Sequence, residues 1–244
     1  MHSSVSEKTP KTLSAQPVIQ GGSTIGIKYD KGILLGADTL LKYAGCYWYK
    51  DIRRINQISS NVLLASGGDY SDLQQILMKL KEKRELDEIA DDGNTFLEPK
   101  DYCKWLANLH FNKRMRVDPY WNSHLVAGVH SKTGEKYLGI VDLYGNTFEG
   151  KYLLTGVANY FCNSLLYDAV TDDLTLEKAK ELIDNCFRVL YYRDKFQSDM
   201  IQLATITDDG EVTFEEPYRL ESKWDYNYTK TKSNDELRDM RCPK

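Results

Sequence analysis

The side chains that most often carry chemistry are present in this sequence, but their spacing forms no recognisable metal or redox motif. Five cysteines are scattered along the chain without a Cys-x-x-Cys pair: Cys46, Cys103, Cys162, Cys186 and Cys242. Because a disulfide framework or a zinc site needs tighter clustering, this pattern favours reduced thiols in a cytosolic or nuclear protein. His110, His124 and His130 also lack the spacing of metal ligands, which is typical of ordinary core or surface histidines. We therefore expect neither a metal nor a cofactor.

Charge and hydropathy narrow the class of protein. The 244 residues are 41% hydrophobic and 28% charged, which suits one domain or two small ones. The formal net charge of -4 comes from 32 basic and 36 acidic residues, so neither nucleic acid nor an anionic membrane is predicted as a partner. No run approaches about 18 apolar residues, and no membrane-spanning segment is expected. The polar stretch from Met1 to Gln16 lacks the apolar region of a secretory signal.

Alternating and continuous apolar runs predict two pairs of strands near the start of the chain. The pairs are residues 24–29 with 33–38, and residues 51–58 with 62–66. The first pair is joined at Asp30-Lys31-Gly32, a turn in which glycine permits positive φ. Because residues 33–38 are apolar on both faces, that strand should lie centrally in a covered sheet.

Helical periodicity follows in two separate pairs of helices. The first helix begins near Ser71 and carries one apolar stripe, Leu73, Ile76, Leu77 and Leu80. An acidic stretch from Glu85 to Gly93 is interpreted as an exposed loop. The other helices are predicted from Pro99 to the stop at Asp118-Pro119, from about 159 to 170, and from about 176 to 192. Further strands are predicted at 125–130, 136–142, 152–155, 201–207 and 212–214.

The order of these elements predicts the fold class. Helices that come in consecutive pairs do not alternate singly with strands, which disfavours a doubly wound parallel sheet. Two packed sheets with a helix layer outside each would bury every apolar stripe. We therefore predict an α+β fold, a four-layer αββα sandwich in one domain.

Four stretches, in order and at compatible spacings, resemble the beta-type subunits of the proteasome. They are Gly22-Ser23-Thr24-Ile25-Gly26-Ile27-Lys28-Tyr29, Gly32-Ile33-Leu34-Leu35-Gly36-Ala37-Asp38, Ser66-Gly67-Gly68-Asp69 and Tyr191-Tyr192-Arg193-Asp194. The resemblance covers roughly residues 16–224 and implies the same αββα sandwich, the fold of N-terminal-nucleophile hydrolases. Active members of the family cut their leader after a glycine and expose a threonine, whose hydroxyl attacks while its own amine serves as base.

The resemblance carries the family's catalytic positions onto this chain only in part. The anchoring aspartate corresponds to Asp38, and counting back from it without a gap places the nucleophile position on Gly22, which has no side chain. The position of the supporting lysine falls on Arg54, and an arginine is effectively always protonated. A partly buried Asp38–Arg54 ion pair is expected.

Two further positions depart from the family pattern. The supporting serine near a glycine-rich turn is matched by Val157, and the serine of a later Asp-x-x-Ser element is matched by Gln197, although its aspartate is kept as Asp194. We interpret Asp194 as a structural residue that caps or braces the last helix. The resemblance therefore implies a catalytically silent subunit, not an enzyme.

Two other functions remain open. Gly22-Ser23 resembles a self-cleavage junction, and cleavage there would expose Ser23 as the nucleophile of an active peptidase. Ser23 is one position along the strand from the nucleophile position, so its side chain should face away from Asp38 and Arg54. The second rival is a free-standing amidohydrolase of the wider N-terminal-nucleophile group.

The resemblance also implies how the chain is divided and what it assembles with. Residues 1–13 are a leader, removed near Leu13 and Ser14; residues 14–222 are the subunit domain, and residues 223–244 are a C-terminal extension. Trp224, Tyr226 and Tyr228 in that extension are interface candidates, the alternative being a tail folded back on its own domain. The partners that the resemblance implies are the other alpha and beta subunits of a 28-subunit core particle in the cytoplasm and nucleus.

Overall fold

The structure, a computed structural model, describes residues 18–90 and 97–223. The first of its two antiparallel sheets has eight strands, in the order β10-β9-β8-β7-β1-β4-β5, with β6 paired to β7. Their bounds are β1 Ile19–Gly21, β4 Leu41–Tyr43, β5 Cys46–Tyr49, β6 Ile55–Ser59, β7 Val62–Asp69, β8 Asn122–Val129, β9 Lys136–Val141 and β10 Thr147–Glu149.

The second sheet has six strands, in the order β11-β2-β3-β12-β13, with β14 paired to β12. Their bounds are β2 Thr24–Tyr29, β3 Gly32–Asp38, β11 Tyr152–Leu154, β12 Met200–Thr207, β13 Val212–Phe214 and β14 Tyr218–Arg219. Every residue of β3 is buried, as the apolar run on both of its faces predicts.

Five helices cover the outer faces of the sheets within the described residues. Their bounds are α1 Tyr70–Ala90, α2 Pro99–Met115, α3 Ala158–Phe161, α4 Asn163–Tyr167 and α5 Leu176–Arg193. The start of α2 is fixed by a capping box, in which Glu98 and Asp101 each accept a backbone N–H of the other. The side chain of Thr175 caps α5 by accepting the N–H of Lys178.

Three apolar layers hold the molecule together. Side chains such as Ile33, Leu63 and Leu125 fill the space between the two sheets. A second layer joins the first sheet to α1 and α2, and a third joins the second sheet to α3, α4 and α5. The predicted four-layer αββα sandwich is confirmed.

Three local predictions were wrong. The acidic stretch predicted as a loop from Glu85 is helical as far as Ala90, with its last three residues outside the described part. The helix predicted over 159–170 is two short helices that break at Cys162. The strand predicted over 51–58 begins at Ile55. The strands β1, β4, β5, β10 and β14 were not predicted.

Candidate functional site

The candidate site lies where the end of β3 meets the start of β2. Gly22 precedes β2, and pairing of Thr24 with Ala37 brings it beside Asp38, the last residue of β3. A Cβ atom added at Gly22 would lie 3.2 Å from Asp38 Oδ1 and 3.3 Å from Gln197 Oε1. A side chain at this position would therefore face the carboxylate of Asp38, and glycine provides none.

Arg54 fills the floor of the site. Its side chain is 1% exposed and forms an ion pair with the fully buried Asp38, to which Nη2 donates. Nε donates to the Asp38 carbonyl oxygen at 3.0 Å, and Nη1 donates to the carbonyl oxygens of Gly22 at 2.8 Å and Ser66 at 3.0 Å. Nη2 also donates to the carbonyl oxygen of Ser23 at 3.2 Å. The guanidinium is thus used to hold backbone in place.

The electrostatics of Asp38 combine opposing influences. Burial is the largest and raises the pKa of its carboxyl, whereas the charge of Arg54 and the N–H of Ser198 act in the opposite direction. That N–H donates to Asp38 Oδ2 at 3.2 Å. Arg54 therefore acts in this site as an ion-pair partner of Asp38 and as a hydrogen-bond donor to backbone.

The side chain of Ser23, the residue before β2, contacts the segment that leads into α3. Its hydroxyl oxygen accepts the backbone N–H of Ala158 at 3.0 Å, and its side chain packs against Gly156. The residue is 1% exposed. Ser23 Oγ is therefore engaged at the start of α3, whereas the contact of Ser23 with Arg54 is made by its backbone carbonyl oxygen.

The other predicted site residues are distributed around Gly22. Val157 is 36% exposed and directly precedes α3. Asp194 follows α5, and its Oδ1 accepts the N–H of Phe196 at 3.0 Å, so it braces the turn after that helix. Gln197 is 1% exposed, and its Oε1 accepts no hydrogen bond from the residues that the structure describes. The leader residues Leu13 and Ser14 and the aromatic residues Trp224, Tyr226 and Tyr228 lie outside the described ranges.

The strand β1 was missed by the sequence analysis. It lies between β7 and β4, with Gln20 opposite both Asp69 and Lys42, and Gly21 opposite both Gly68 and Leu41. The chain just before Gly22 therefore fills the slot between two strands of the first sheet. An extended peptide that added to the inner edge of β7 or β4 would have to displace it.

Gly21 shows why this strand passes so close to Arg54. A Cβ atom at Gly21 would lie 2.6 Å from Arg54 Cδ, a distance that real side chains do not adopt. The sequence carried one signal of this close approach, the doublet Gly21-Gly22. Adjacent glycines often mark a place where the backbone passes close to another group.

A cavity of about 230 Å³ opens beside Gly22. Its lining includes Lys42 and Asp194, whose opposite charges attract each other. Burial lowers the pKa of Lys42, and its Nζ lies 4.4 Å from the centre of the Phe196 ring. Lys42 is a residue of this site that the sequence analysis did not single out, because only the fold brings β4 next to Gly22.

The rest of the described chain adds two observations. No group of three or more histidine, cysteine, aspartate or glutamate side chains in residues 18–90 and 97–223 could hold a metal ion. None of the helices described there is long and apolar enough to cross a membrane.

Comparison with known proteins agrees with the resemblance in the sequence. A family model described as "Proteasome subunit" matches residues 18–206. A protein of Arabidopsis thaliana named "Proteasome subunit beta type-4" is 36% identical over 221 residues, which cover 91% of this chain and 87% of that relative. A "Probable proteasome subunit beta type-7" of Schizosaccharomyces pombe is 34% identical, with 91% and 86% covered. A "Proteasome subunit beta type-4" of Xenopus laevis is 32% identical, with 88% of each chain covered.

Proposed function

This chain belongs to the proteasome subunit family, and we propose that it is a catalytically silent beta-type subunit of the core particle. The observation that carries the proposal is the environment of Gly22. A Cβ atom at this position would lie 3.2 Å from Asp38 Oδ1, but the residue is a glycine. No hydroxyl or thiol is therefore available there to attack a peptide bond.

Two further features support a silent subunit. Arg54 donates to the carbonyl oxygens of both Gly22 and Ser23, which holds the backbone at the candidate junction. The strand β1 occupies the slot between β7 and β4, where an extended substrate would otherwise add to the sheet.

The role that follows is architectural. Because members of the family assemble with other proteasome subunits, we propose that this subunit forms part of the wall of the inner beta ring and stabilises the contact between rings in a particle of 28 subunits. Such a particle would degrade ubiquitin-marked proteins with ATP, in the cytoplasm and the nucleus. In this proposal residues 1–13 are removed near Leu13 and Ser14, and Trp224, Tyr226 and Tyr228 contact another subunit.

Covalent labelling tests the absence of catalysis. The native particle is treated with an epoxyketone or boronate warhead, and intact-mass spectrometry is used to find which chains gain the mass of the probe. We expect active subunits of the same particle to be labelled, which is the internal control, and this chain to keep its unlabelled mass. A probe attached to this chain would overturn the proposal.

Two measurements test the alternative functions: sequencing of the mature N-terminus tests the Ser23 peptidase, and the native size of the chain tests the free-standing amidohydrolase. A mature chain that begins at Ser23 would support an active serine-type peptidase, whereas retention of residues before Gly22 would exclude it. In addition, Ser23→Ala should leave the peptidase activity of the particle unchanged. Elution of the native chain as a small free protein, and not in a large assembly, would favour the lone amidohydrolase.

A further inference from the structure

Two of the cysteines contact each other in the apolar layer between the second sheet and α5. Cys162 lies at the junction of α3 and α4, and Cys186 lies within α5; both are fully buried. The Cys162 thiol donates to the carbonyl oxygen of Cys186, with Sγ and O 3.6 Å apart. The two thiol groups also lie close enough for each to shift the pKa of the other. Residues 24 positions apart are thus arranged as a dithiol.

The two sulfur atoms are not equivalent. The hydrogen bond from the Cys186 thiol lowers the pKa of Cys162. The same hydrogen bond, together with burial, raises the pKa of Cys186. The position of each residue sets the order of reaction: Cys162 lies at the break between two short helices, whereas Cys186 lies within the 18-residue helix α5. An oxidant that enters through the short helices meets Cys162 first, and Cys186 is placed to react with it second.

The covering segment gives a route for a small oxidant. Cys162 lies at the break between a helix of four residues and a helix of five. Such short helices have few internal hydrogen bonds, and segments of this kind open locally without unfolding of the whole domain. The outer face of the segment is exposed, with Tyr160 at 85% and Tyr167 at 72%. Local opening of α3 and α4 would expose Cys162 and leave the longer helix α5 in place.

We propose that Cys162 and Cys186 are a redox-sensitive modification site, which closes reversibly to a disulfide and fastens the α3–α4 segment to α5. The proposal does not depend on the absence of catalysis at Gly22. The oxidant is a peroxide, and the reductant that reopens the site is a dithiol.

The reaction balances in two steps. The Cys162 thiolate attacks one oxygen of hydrogen peroxide and breaks the O–O bond, which gives a sulfenic acid and a hydroxide. The proton that the thiol lost converts the hydroxide to one water. The Cys186 sulfur then attacks the Cys162 sulfur, which forms the S–S bond and releases the sulfenic oxygen as a second water. Two thiols are oxidised, and one peroxide is reduced to two waters.

Peptide mapping of the oxidised particle tests the proposal. The native particle with full-length chain, carrying Cys242→Ser because Cys242 lies outside the described residues, is treated with graded hydrogen peroxide. Remaining thiols are alkylated under denaturing conditions, and the chain is digested without reductant. We expect a linked peptide pair containing Cys162 and Cys186 that increases with peroxide and disappears with dithiothreitol. Hydrogen exchange of residues 158–167 should slow in the oxidised form and recover on reduction.

Cys103 and Cys46 supply the matched comparison. Cys103 is as deeply buried but lies in a different layer, packed among α2 and the first sheet, and Cys46 is exposed. Cys103→Ser should leave the linked pair unchanged, and Cys186→Ser should abolish it. The proposal is overturned if Cys162 and Cys186 both remain alkylatable at doses that oxidise Cys46. It is also overturned if the Cys162–Cys186 peptide pair forms only in chain that has been unfolded in urea. Both results are obtained without the Cys186→Ser variant, so they do not depend on the folding of that variant.

Discussion

Gly21 and Gly22 are adjacent, but their missing side chains face different groups. At Gly21 a Cβ atom would meet Arg54 Cδ at 2.6 Å, Nε at 3.0 Å and Nη1 at 3.1 Å. At Gly22 the nearest atoms would be Asp38 Oδ1 at 3.2 Å and Gln197 Oε1 at 3.3 Å. Packing of the buried guanidinium therefore requires glycine at position 21, whereas position 22 needs only a small shift to accept a methyl group.

Alanine at these two positions should therefore have unequal effects. We expect Gly21→Ala to lower the free energy of unfolding by about 2–4 kcal/mol, because the new methyl group displaces Arg54 from its buried ion pair. Gly22→Ala should cost less than about 1 kcal/mol. Urea unfolding of both variants beside the parent chain measures the difference. Equal losses would show that Arg54 moves aside without penalty.

Arg54 also differs from its neighbour Arg53 in what its charge does. Arg54 donates to backbone carbonyl oxygens and to Asp38 from a fully buried side chain. The side chain of Arg53 is 57% exposed, and its Nη2 lies 3.7 Å from Oε2 of Glu216, whose side chain is 91% exposed. Only the first arrangement leaves buried acceptors unpaired when donors are removed.

Lysine substitutions separate these two roles. A lysine has three donors on one nitrogen and cannot reproduce the planar fork of arginine. We expect Arg54→Lys to reduce the free energy of unfolding by at least about 2 kcal/mol, and the matched Arg53→Lys to change it by less than about 0.5 kcal/mol. Denaturant unfolding measures both. A change at Arg53 as large as that at Arg54 would contradict the buried role of Arg54.

The helix α2 packs on β8 through a buried polar chain. Ser66 Oγ lies 2.6 Å from His124 Nδ1, and His124 Nε2 lies 3.1 Å from His110 Nε2. Burial lowers the pKa of His110 to about 4, and burial together with His110 lowers that of His124 well below its ordinary value. The facing groups include Asp142, whose charge raises the pKa of His110 only in part. Both imidazoles are therefore neutral in the folded protein at neutral pH.

These two histidines should make folding sensitive to acid. The unfolded chain takes up protons below the ordinary histidine pKa of about 6.5, whereas the folded chain does so only near 4 at His110. The contribution of these two neutral histidines to the free energy of unfolding is therefore fully present above about pH 6.5 and is lost as the pH falls toward 4. We expect urea midpoints to fall over this interval and His110→Gln to flatten the fall. His130→Gln is the control, because His130 is partly exposed and lies outside this buried chain of side chains. An unchanged slope in His110→Gln would contradict the assignment.

An element could be predicted from the sequence when the residues that stabilise it lie within the element itself. The helices α2 and α5 have capping residues and an apolar stripe within their own sequence, and both were predicted closely. The acidic end of α1 was misread, although Lys81–Glu85 and Arg84–Glu88 are ion pairs at helical spacing that favour its continuation. The strand β1 has three residues and gains its partners from β7 and β4, so its own sequence gives little signal.

In the candidate site, too, contacts between neighbouring strands of the sequence could be predicted, and contacts that depend on the order of strands in a sheet could not. The contact of Gly22 with Asp38 depends on adjacent strands, so counting along the sequence was sufficient to place the two residues together. The approach of Lys42 and the insertion of β1 depend on the order of strands in the first sheet, which no local pattern specifies.

At the scale of the whole molecule, α1 carries apolar side chains on two faces. Leu73, Ile76 and Leu80 are buried against the first sheet. Met78, Leu86 and Ile89 are 55%, 64% and 77% exposed on the outside. One buried stripe is sufficient to dock a helix on its own domain. A second apolar stripe that faces outward is typical of a surface covered in an assembly, and proteasome subunits are found in assemblies.

Removal of the outer stripe should impair assembly and leave the fold intact. We expect Leu86→Ser with Ile89→Ser to lower incorporation into the particle by about 5- to 30-fold, as a loss of 1–2 kcal/mol of binding would do. Quantitative mass spectrometry of affinity-purified particles, relative to another subunit, measures incorporation. Leu73→Ala in the buried stripe is the comparison, since it should make the free chain sensitive to protease, whereas the outer variant should not. Normal incorporation of the double variant would mean that another face of the molecule carries the contact, because an exposed leucine and isoleucine that meet no partner contribute nothing to assembly.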